Sequence, residues 1–388
     1  MSSKLRVIVT GLIAQYPLGG VTWDYLQYVL GLSQLGHDVY YLEDTGLWPF
    51  NPQEGGVAKD CSFNVDYLAS VMDRFGLQDK WLYRFPWQNQ WYGLSEQKRK
   101  ELIKTADLLI NVSGTLANPE EYRSAKRLVY IDSDPVFTQV KLARGQVDFQ
   151  RMVDIHDVQF SFGECLSDKV PETGHVWRPT RQPVVLAEWH PSVEHRNVFT
   201  TVMNWTSYKP VTFGGRTYGQ KDVEFERFME LPGRVPGTEL EIAINAGKTR
   251  RTPRDRLKRS GWSVVDPDRV CPDTESYRDY IESSKAEWSA AKNGYVVGQA
   301  GWFSCRSACY LAAGRPVVAQ DTGYGCVLPV GEGLLAFNTL EEALEAIQDV
   351  EQHYDRHAEA ARAIADSYFD SDKILTRLVD EALAQTPG

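Results

Sequence analysis

The segment GWFSCRSACYLAAGRPVVAQDTGYG, residues 301–325, carries polar side chains at two ends of an apolar pattern. Ala308, Leu311 and Ala312 share one face at helical spacing, and Pro316, Val317, Val318 and Ala319 read as a buried strand. Ser304, Arg306 and Ser307 stand where that helix begins. Free backbone N–H groups, the positive end of the helix dipole, hydroxyls and a guanidinium together make an anion site. A plain N-cap accounts for Ser304 alone. Asp321, Thr322 and Gly323 follow the strand, where a carboxylate and a hydroxyl can reach sugar hydroxyls.

Other groups invite similar readings. Gly19 and Gly20 in PLGG lie between a strand and a helix, where glycine lets backbone N–H groups approach an anion or simply makes a tight turn. Neither the dinucleotide fingerprint nor the Gly-Lys-Ser/Thr phosphate loop is present. Lys209 in SYKPVTFGG and Lys248, Arg250 and Arg251 in NAGKTRRTPR follow two apolar strands. Cations placed there stabilise charge growing on a diphosphate leaving group; the alternative is a pair of solvated basic loops. Lys285 and Glu287, two apart in an extended stretch, face the same way and suit a nucleotide's base or phosphate, or a surface ion pair. Candidates for a general base are Asp24, Asp132, Asp134 and His156. A helix over 22–35 turns Asp24 away from Leu26 and Leu30, Asp132 doubles as a turn former, and His156 reads equally as a structural histidine. Trp81, Tyr83, Trp87, Trp91 and Tyr92 in KWLYRFPWQNQWYG form either an aromatic platform for an acceptor or a core patch under a loop.

These residues need a frame. The 388 residues, 43% of them hydrophobic, suffice for more than one domain. A net charge of −10 argues against a general nucleic-acid binder without excluding a local basic groove. No apolar leader and no membrane-length apolar run is visible, so a cytoplasmic location is expected. Six scattered cysteines with no Cys-x-x-Cys point to reduced thiols rather than a zinc site or a disulfide framework. LRVIVTGL, VTWDYLQYVLGLSQLG and HDVYYLED read as strand, helix and strand, and ADLLINVSG, RLVYIDSDP and HDVQFSFGE continue an α/β doubly wound rhythm. The Pro-rich stretch over 176–197 reads as a linker, after which the same grammar resumes and ends in a helical tail. The division expected is 1–185, 186–355 and a terminal helical unit 356–388. Two such domains would face a cleft with their strand C-termini, where ligands bind in open α/β sheets.

PLGGVTWDYLQYVLGLSQLGHDVYYLED and SACYLAAGRPVVAQDTG resemble the two ends of GT-B glycosyltransferases, in particular the glycogen-synthase-like retaining group. The resemblance implies two Rossmann-like domains with C-terminal helices crossing back to the first. It implies an enzyme moving a sugar, most simply a hexose, from a nucleotide-diphosphate sugar, UDP-sugar favoured, to an acceptor hydroxyl. On it, Gly19 and Gly20 approach the donor, Lys209 and Arg250 hold the diphosphate, and Ser304–Ser307 follow at the helix terminus. Where many retaining members carry Glu-x7-Glu, this chain has Gly301 and Cys309. Neither serves as a carboxylate on ribose; Glu287 and Asp321 are the candidate substitutes. No cofactor and no metal is expected: the Asp-Ser-Asp at 132–134 lies in the first half, away from the expected diphosphate. The acceptor stays open between a small molecule, a glycan and a modified DNA base. An epimerase on the same fold and a non-catalytic nucleotide sensor are the competing functions.

Overall fold

Arg6–Thr10, the first apolar run, lies deep inside a sheet of eight strands. The chain is described from a computed structural model, over residues 4–192, 194–245 and 252–384. The sheet order is Trp177–Pro179, Val158–Ser161, Leu128–Asp132, Leu108–Val112, Arg6–Thr10, Asp38–Glu43, Trp81–Phe85 and Gln90–Gly93. Every neighbouring pair is parallel except the last, an antiparallel hairpin. A second sheet has six parallel strands: Ser263–Val265, Glu239–Ala243, Val198–Val202, Ala286–Ser289, Val317–Gln320 and Leu334–Phe337. Strands covered on both faces need apolar side chains in succession. Val7, Ile8 and Val9 supply this in the first sheet, Val317 and Val318 in the second, and all five are fully buried. Burial of each such side chain stabilises the fold by about 1.5–3 kcal/mol. Within the second unit, Trp288 stacks on Phe337 with ring centroids 5.5 Å apart and lies 5.1 Å from Trp262.

The tail closes the fold on itself. Helices Leu340–Gln352 and Tyr354–Ile364 are followed by a crossing at which Val184 N–H donates to Phe369 O at 2.7 Å and Ser371 N–H to Val184 O at 2.9 Å. The last helix, Ser371–Leu383, then packs on the first, Gly19–Gln34, where a Cβ on Gly31 would lie 2.5 Å from Leu375 Cδ1. Position 356, expected to start the terminal unit, falls inside the helix Tyr354–Ile364.

The two sheet units meet along two seams. In one, the Gly19 helix abuts the N-terminus of the helix Thr274–Glu282: a Cβ on Gly19 would come 2.0 Å from Asp273 O, and Trp23 Nε1 donates to Thr274 O at 2.9 Å. Glycine here permits close contact between domains. In the other seam, Phe137 of the helix Phe137–Ala143 sits where a Cβ on Gly294 would be, 2.4 Å from its Cζ. Beside it, Cys165 and Cys326 form a disulfide with Cα atoms 6.8 Å apart, which corrects the expectation of six reduced thiols. At a sequence separation of 161, the pair carries no local sequence signal.

Candidate active site

Between the seams lies a cavity of about 410 Å³, walled by both units at the C-terminal ends of their strands. Leu18, Gly20, Asp24, Tyr25, Ser113 and Ser133 line it from the first. Asn204, Trp205, Lys221, Asn245, Tyr277, Lys292, Trp302, Ser304, Cys305 and Arg306 line it from the second.

The loop before Gly19 is held from below. The buried carboxyl of Glu43 accepts from Tyr41 Oη at 2.6 Å, Ala14 N–H at 2.8 Å and Gln15 N–H. Burial raises its pKa to about 7, partly offset by those donors. Asn64 Nδ2 adds a bond of 2.6 Å to Ala14 O. The loop thus enters the first helix in a fixed pose, with Gly20 and Asp24 on the cavity. Asp24 does not have the solvated place that the helical phase suggested; its side of the helix faces the second domain. Burial raises its pKa to about 7, and Arg306 and the Cys305 thiol oppose the shift.

The cations come from three elements of the second unit. Arg306 stands in the first turn of the helix Cys305–Ala312. Its Nε donates to Glu287 Oε1 at 2.5 Å, Nη1 to Val202 O at 2.7 Å and Nη2 to Ser289 Oγ at 2.6 Å. Burial works against its charge, but the ion pair with the fully buried Glu287 prevails and the pKa is raised. Lys221 opens the helix Lys221–Phe225. Burial, then the nearby Arg306, hold its pKa well below the ordinary lysine range. Lys292 follows the strand Ala286–Ser289 and pairs with Asp134 across the seam, 2.9 Å from Oδ1. A wall with three cations, helix N-termini and side-chain hydroxyls suits an anion of high charge.

Of the sequence-predicted residues, Gly20, Asp24, Ser304 and Arg306 line this cavity. Ser304 occupies the N-cap position without a side-chain capping bond. Glu287 lies one shell behind, as the partner of Arg306. The others do not line it. Ser307 is buried in the helix packing. Lys285 sits at the far end of its strand, bonded to Asn197 Oδ1 at 2.9 Å and to Glu351, because the strand's N-terminus points away from the cleft. Lys209 is exposed on a loop. Arg250 lies outside the described residues, as do Lys248 and Arg251. Asp321, Thr322 and Gly323 shape the neighbouring turn: Asp321 Oδ1 accepts from Gly323 N–H at 2.8 Å, and Thr322 Oγ1 donates to Trp302 O.

The base candidates other than Asp24 do not line the cavity. Asp132 is 1% exposed and accepts from Thr138 Oγ1 at 2.7 Å, Gln139 Nε2 at 3.0 Å and Ser161 Oγ at 2.8 Å. It fixes the turn into the helix Phe137–Ala143. Asp134 accepts from Tyr208 Oη at 2.5 Å, from Tyr295 Oη and from Lys292. Burial pushes its pKa up, but these donors outweigh it and hold it below the usual range. His156 contacts Asn111 Nδ2 at 3.1 Å and Met152 O at 2.9 Å, and burial lowers its pKa to about 4.

The aromatic candidates also lie elsewhere, on the edge hairpin. Trp91 carries the guanidiniums of Arg84 and Arg99 over its ring, 5.4 and 4.2 Å from its centroid. Tyr92 packs beside Tyr83. Trp87 is exposed and leans on Trp48 at 5.7 Å.

Lys221, Lys292, Tyr277 and Trp302 went unrecognised in the sequence. Lys292 had the signal used for Asp321, a polar residue just past an apolar strand. Lys221 had none, since only folding carries its short helix to the cleft.

No family model matches the sequence, and no curated protein matches it. Solved structures do. An α-glucosyltransferase in complex with UDP and a 13-mer DNA containing an HMU base superposes with TM-score 0.63 at 13% identity, covering 98% of this chain and all of that one. Anabaena Alr3699/HepE in complex with UDP-glucose gives 0.58 at 13%, over 97% and 98% of the chains. AviGT4, a glycosyltransferase involved in avilamycin A biosynthesis, gives 0.54 at 13%, over 97% of each. The fold is GT-B. The likeness runs end to end and so takes in both sheet units. No helix among the described residues is long and apolar enough to cross a membrane.

Proposed function

We propose that this GT-B chain transfers a hexose from a UDP-sugar to an acceptor hydroxyl, with its own cations meeting the charge of the leaving diphosphate. The observation that carries this reading is the convergence of Lys221, Lys292 and Arg306 on one cavity at the strand C-termini. When the bond between sugar and diphosphate breaks, negative charge grows on the bridging oxygen. Fixed cations in a site shielded from water lower the barrier most where that charge appears. Asn245, Pro267 and Asp268 lie on the same wall and suit the nucleoside end. The UDP and UDP-glucose complexes of the structural neighbours support the choice of donor class.

Asp24 is the carboxylate offered to the acceptor side. A base with a pKa near 7 takes a proton from an attacking hydroxyl at neutral pH. Ser113 and Ser133, joined by a bond of 2.6 Å between their Oγ atoms, line the first-domain wall. Hydroxyl groups there suit a hydroxyl-bearing acceptor better than a flat aromatic one.

Thermal denaturation with UDP, GDP, TDP and ADP, each with and without its sugar, tests the reading. A rise in melting temperature with UDP and UDP-hexose is expected. No response to any nucleoside diphosphate would overturn it. Turnover of the donor's sugar with no acceptor present would favour an epimerase.

A further inference from the structure

The disulfide crosses from one sheet unit to the other, and we propose that it is a reversible thiol switch on opening of the cleft. Cys165 lies between the first-sheet strands Val158–Ser161 and Trp177–Pro179. Cys326 lies in the turn Tyr324–Cys326, just after the second-sheet strand Val317–Gln320. The bond therefore joins the two walls of the cavity. It stands next to polar contacts of the same seam: Cys165 N–H donates to Ala300 O at 2.9 Å, and Trp302 Nε1 to Ser133 O at 3.3 Å. Trp302 and Ser133 both line the cavity, so the tether is one step from the site.

A ligand enclosed by two domains leaves when they part. The contacts of the second seam, Asp134 with Lys292, Tyr208 and Tyr295 among them, are non-covalent and can break and re-form. With the disulfide in place that seam cannot part. Reduction leaves only the breakable contacts.

The chemistry is accessible. Cys326 is exposed and Cys165 half-buried. Cys61, Cys271 and Cys309 are buried, and Cys305 is a cavity residue. A dithiol reductant attacks Cys326 Sγ as a thiolate. The electron pair of the S–S bond departs on Cys165, which takes up a proton. The reductant's second thiol then displaces Cys326, leaving two thiols on this chain and one disulfide on the reductant. Oxidation by a disulfide of higher potential runs the sequence backwards.

The test uses the full chain. Alkylation and peptide mapping of air-oxidised protein should recover a Cys165–Cys326 linked peptide, and dithiothreitol should release it. Small-angle scattering should give a larger radius of gyration for reduced than for oxidised protein, and Cys326→Ser should match the reduced form with or without dithiothreitol. With UDP as probe and tryptophan fluorescence as readout, reduction should speed dissociation by about tenfold or more. That gain should be absent in Cys165→Ser and Cys326→Ser, which begin fast. Failure to find the linked peptide overturns the proposal, as do equal size and equal dissociation rates in the two redox states. The scattering comparison needs no nucleotide, so the switch is tested apart from the donor assignment.

Discussion

Lys221→Met separates a ligand-binding cation from a structural one, because the two roles predict opposite signs. Burial and the neighbouring Arg306 both disfavour the Lys221 ammonium in the free protein. Removing it relieves those costs, so stability at neutral pH should hold or rise. A diphosphate reverses the balance. One charge-assisted hydrogen bond contributes about 1.5–3 kcal/mol. At about 1.4 kcal/mol per factor of ten, UDP affinity should fall roughly 10- to 150-fold. Isothermal titration calorimetry of UDP, with thermal denaturation of the same samples, reads both. Linkage supplies a further sign. A lysine with a lowered folded pKa binds fewer protons folded than unfolded, so its contribution to stability rises with pH between the lowered value and the ordinary one. A bound diphosphate pulls the pKa back up. UDP binding should therefore take up protons as pH rises through that window, and Lys221→Met should abolish the uptake. A variant that binds UDP as tightly as the parent but melts earlier would refute the assignment.

Arg306→Met should cost about 3–5 kcal/mol of stability in a urea titration, since it leaves Glu287 buried without its partner. The double variant Arg306→Met with Glu287→Met should recover at least half of that loss, while UDP binding stays weak. Asp24→Asn should abolish a rise in transfer rate between about pH 6 and 8, measured with UDP-hexose and an accepted acceptor. The raised Asp24 pKa also makes the folded state bind more protons from about pH 4 to 7, so stability falls with rising pH there and Asp24→Asn should flatten that slope. Asp132→Asn should lose about 1–3 kcal/mol of stability through the mismatch with Gln139 and its other donors, and leave the donor's Kd unchanged once folded. Trp87→Ala should leave transfer kinetics unaltered, because that ring lies outside the cavity.

The frame was legible because parallel strands covered on both faces demand continuous apolar runs, and the chain spells them out from Arg6–Thr10 to Val317–Gln320. The polar residues at the start of the helix Cys305–Ala312 were readable from the apolar pattern behind them, and Ser304 and Arg306 do line the cavity. The companion rule is that polar residues just past a buried strand face the cleft. It failed for Asp321 and Thr322, whose side chains satisfy the backbone of an adjoining turn, and for Asp132, whose carboxylate is taken up by Thr138, Gln139 and Ser161. In each case a local hydrogen bond competes with the ligand for the same side chain, and spacing does not decide between them. Lys285 misled for a different reason: alternation along a strand gives its faces but not which end meets the cleft. The disulfide was invisible because its two cysteines meet only after two separately wound domains have docked.

The last helix has a consequence for biosynthesis. It covers the helix Gly19–Gln34 and is joined to Val184 beside the crossing, yet it is translated after the whole second domain. At roughly 5–20 residues per second, the first sheet waits some tens of seconds on the ribosome for the piece that covers it. During that interval the apolar face around Gly31 and Leu30 has no cover of its own. A nascent chain of this design needs either a chaperone at that face or a second domain quick to fold, and a stop codon before residue 371 would damage the first domain more than the second.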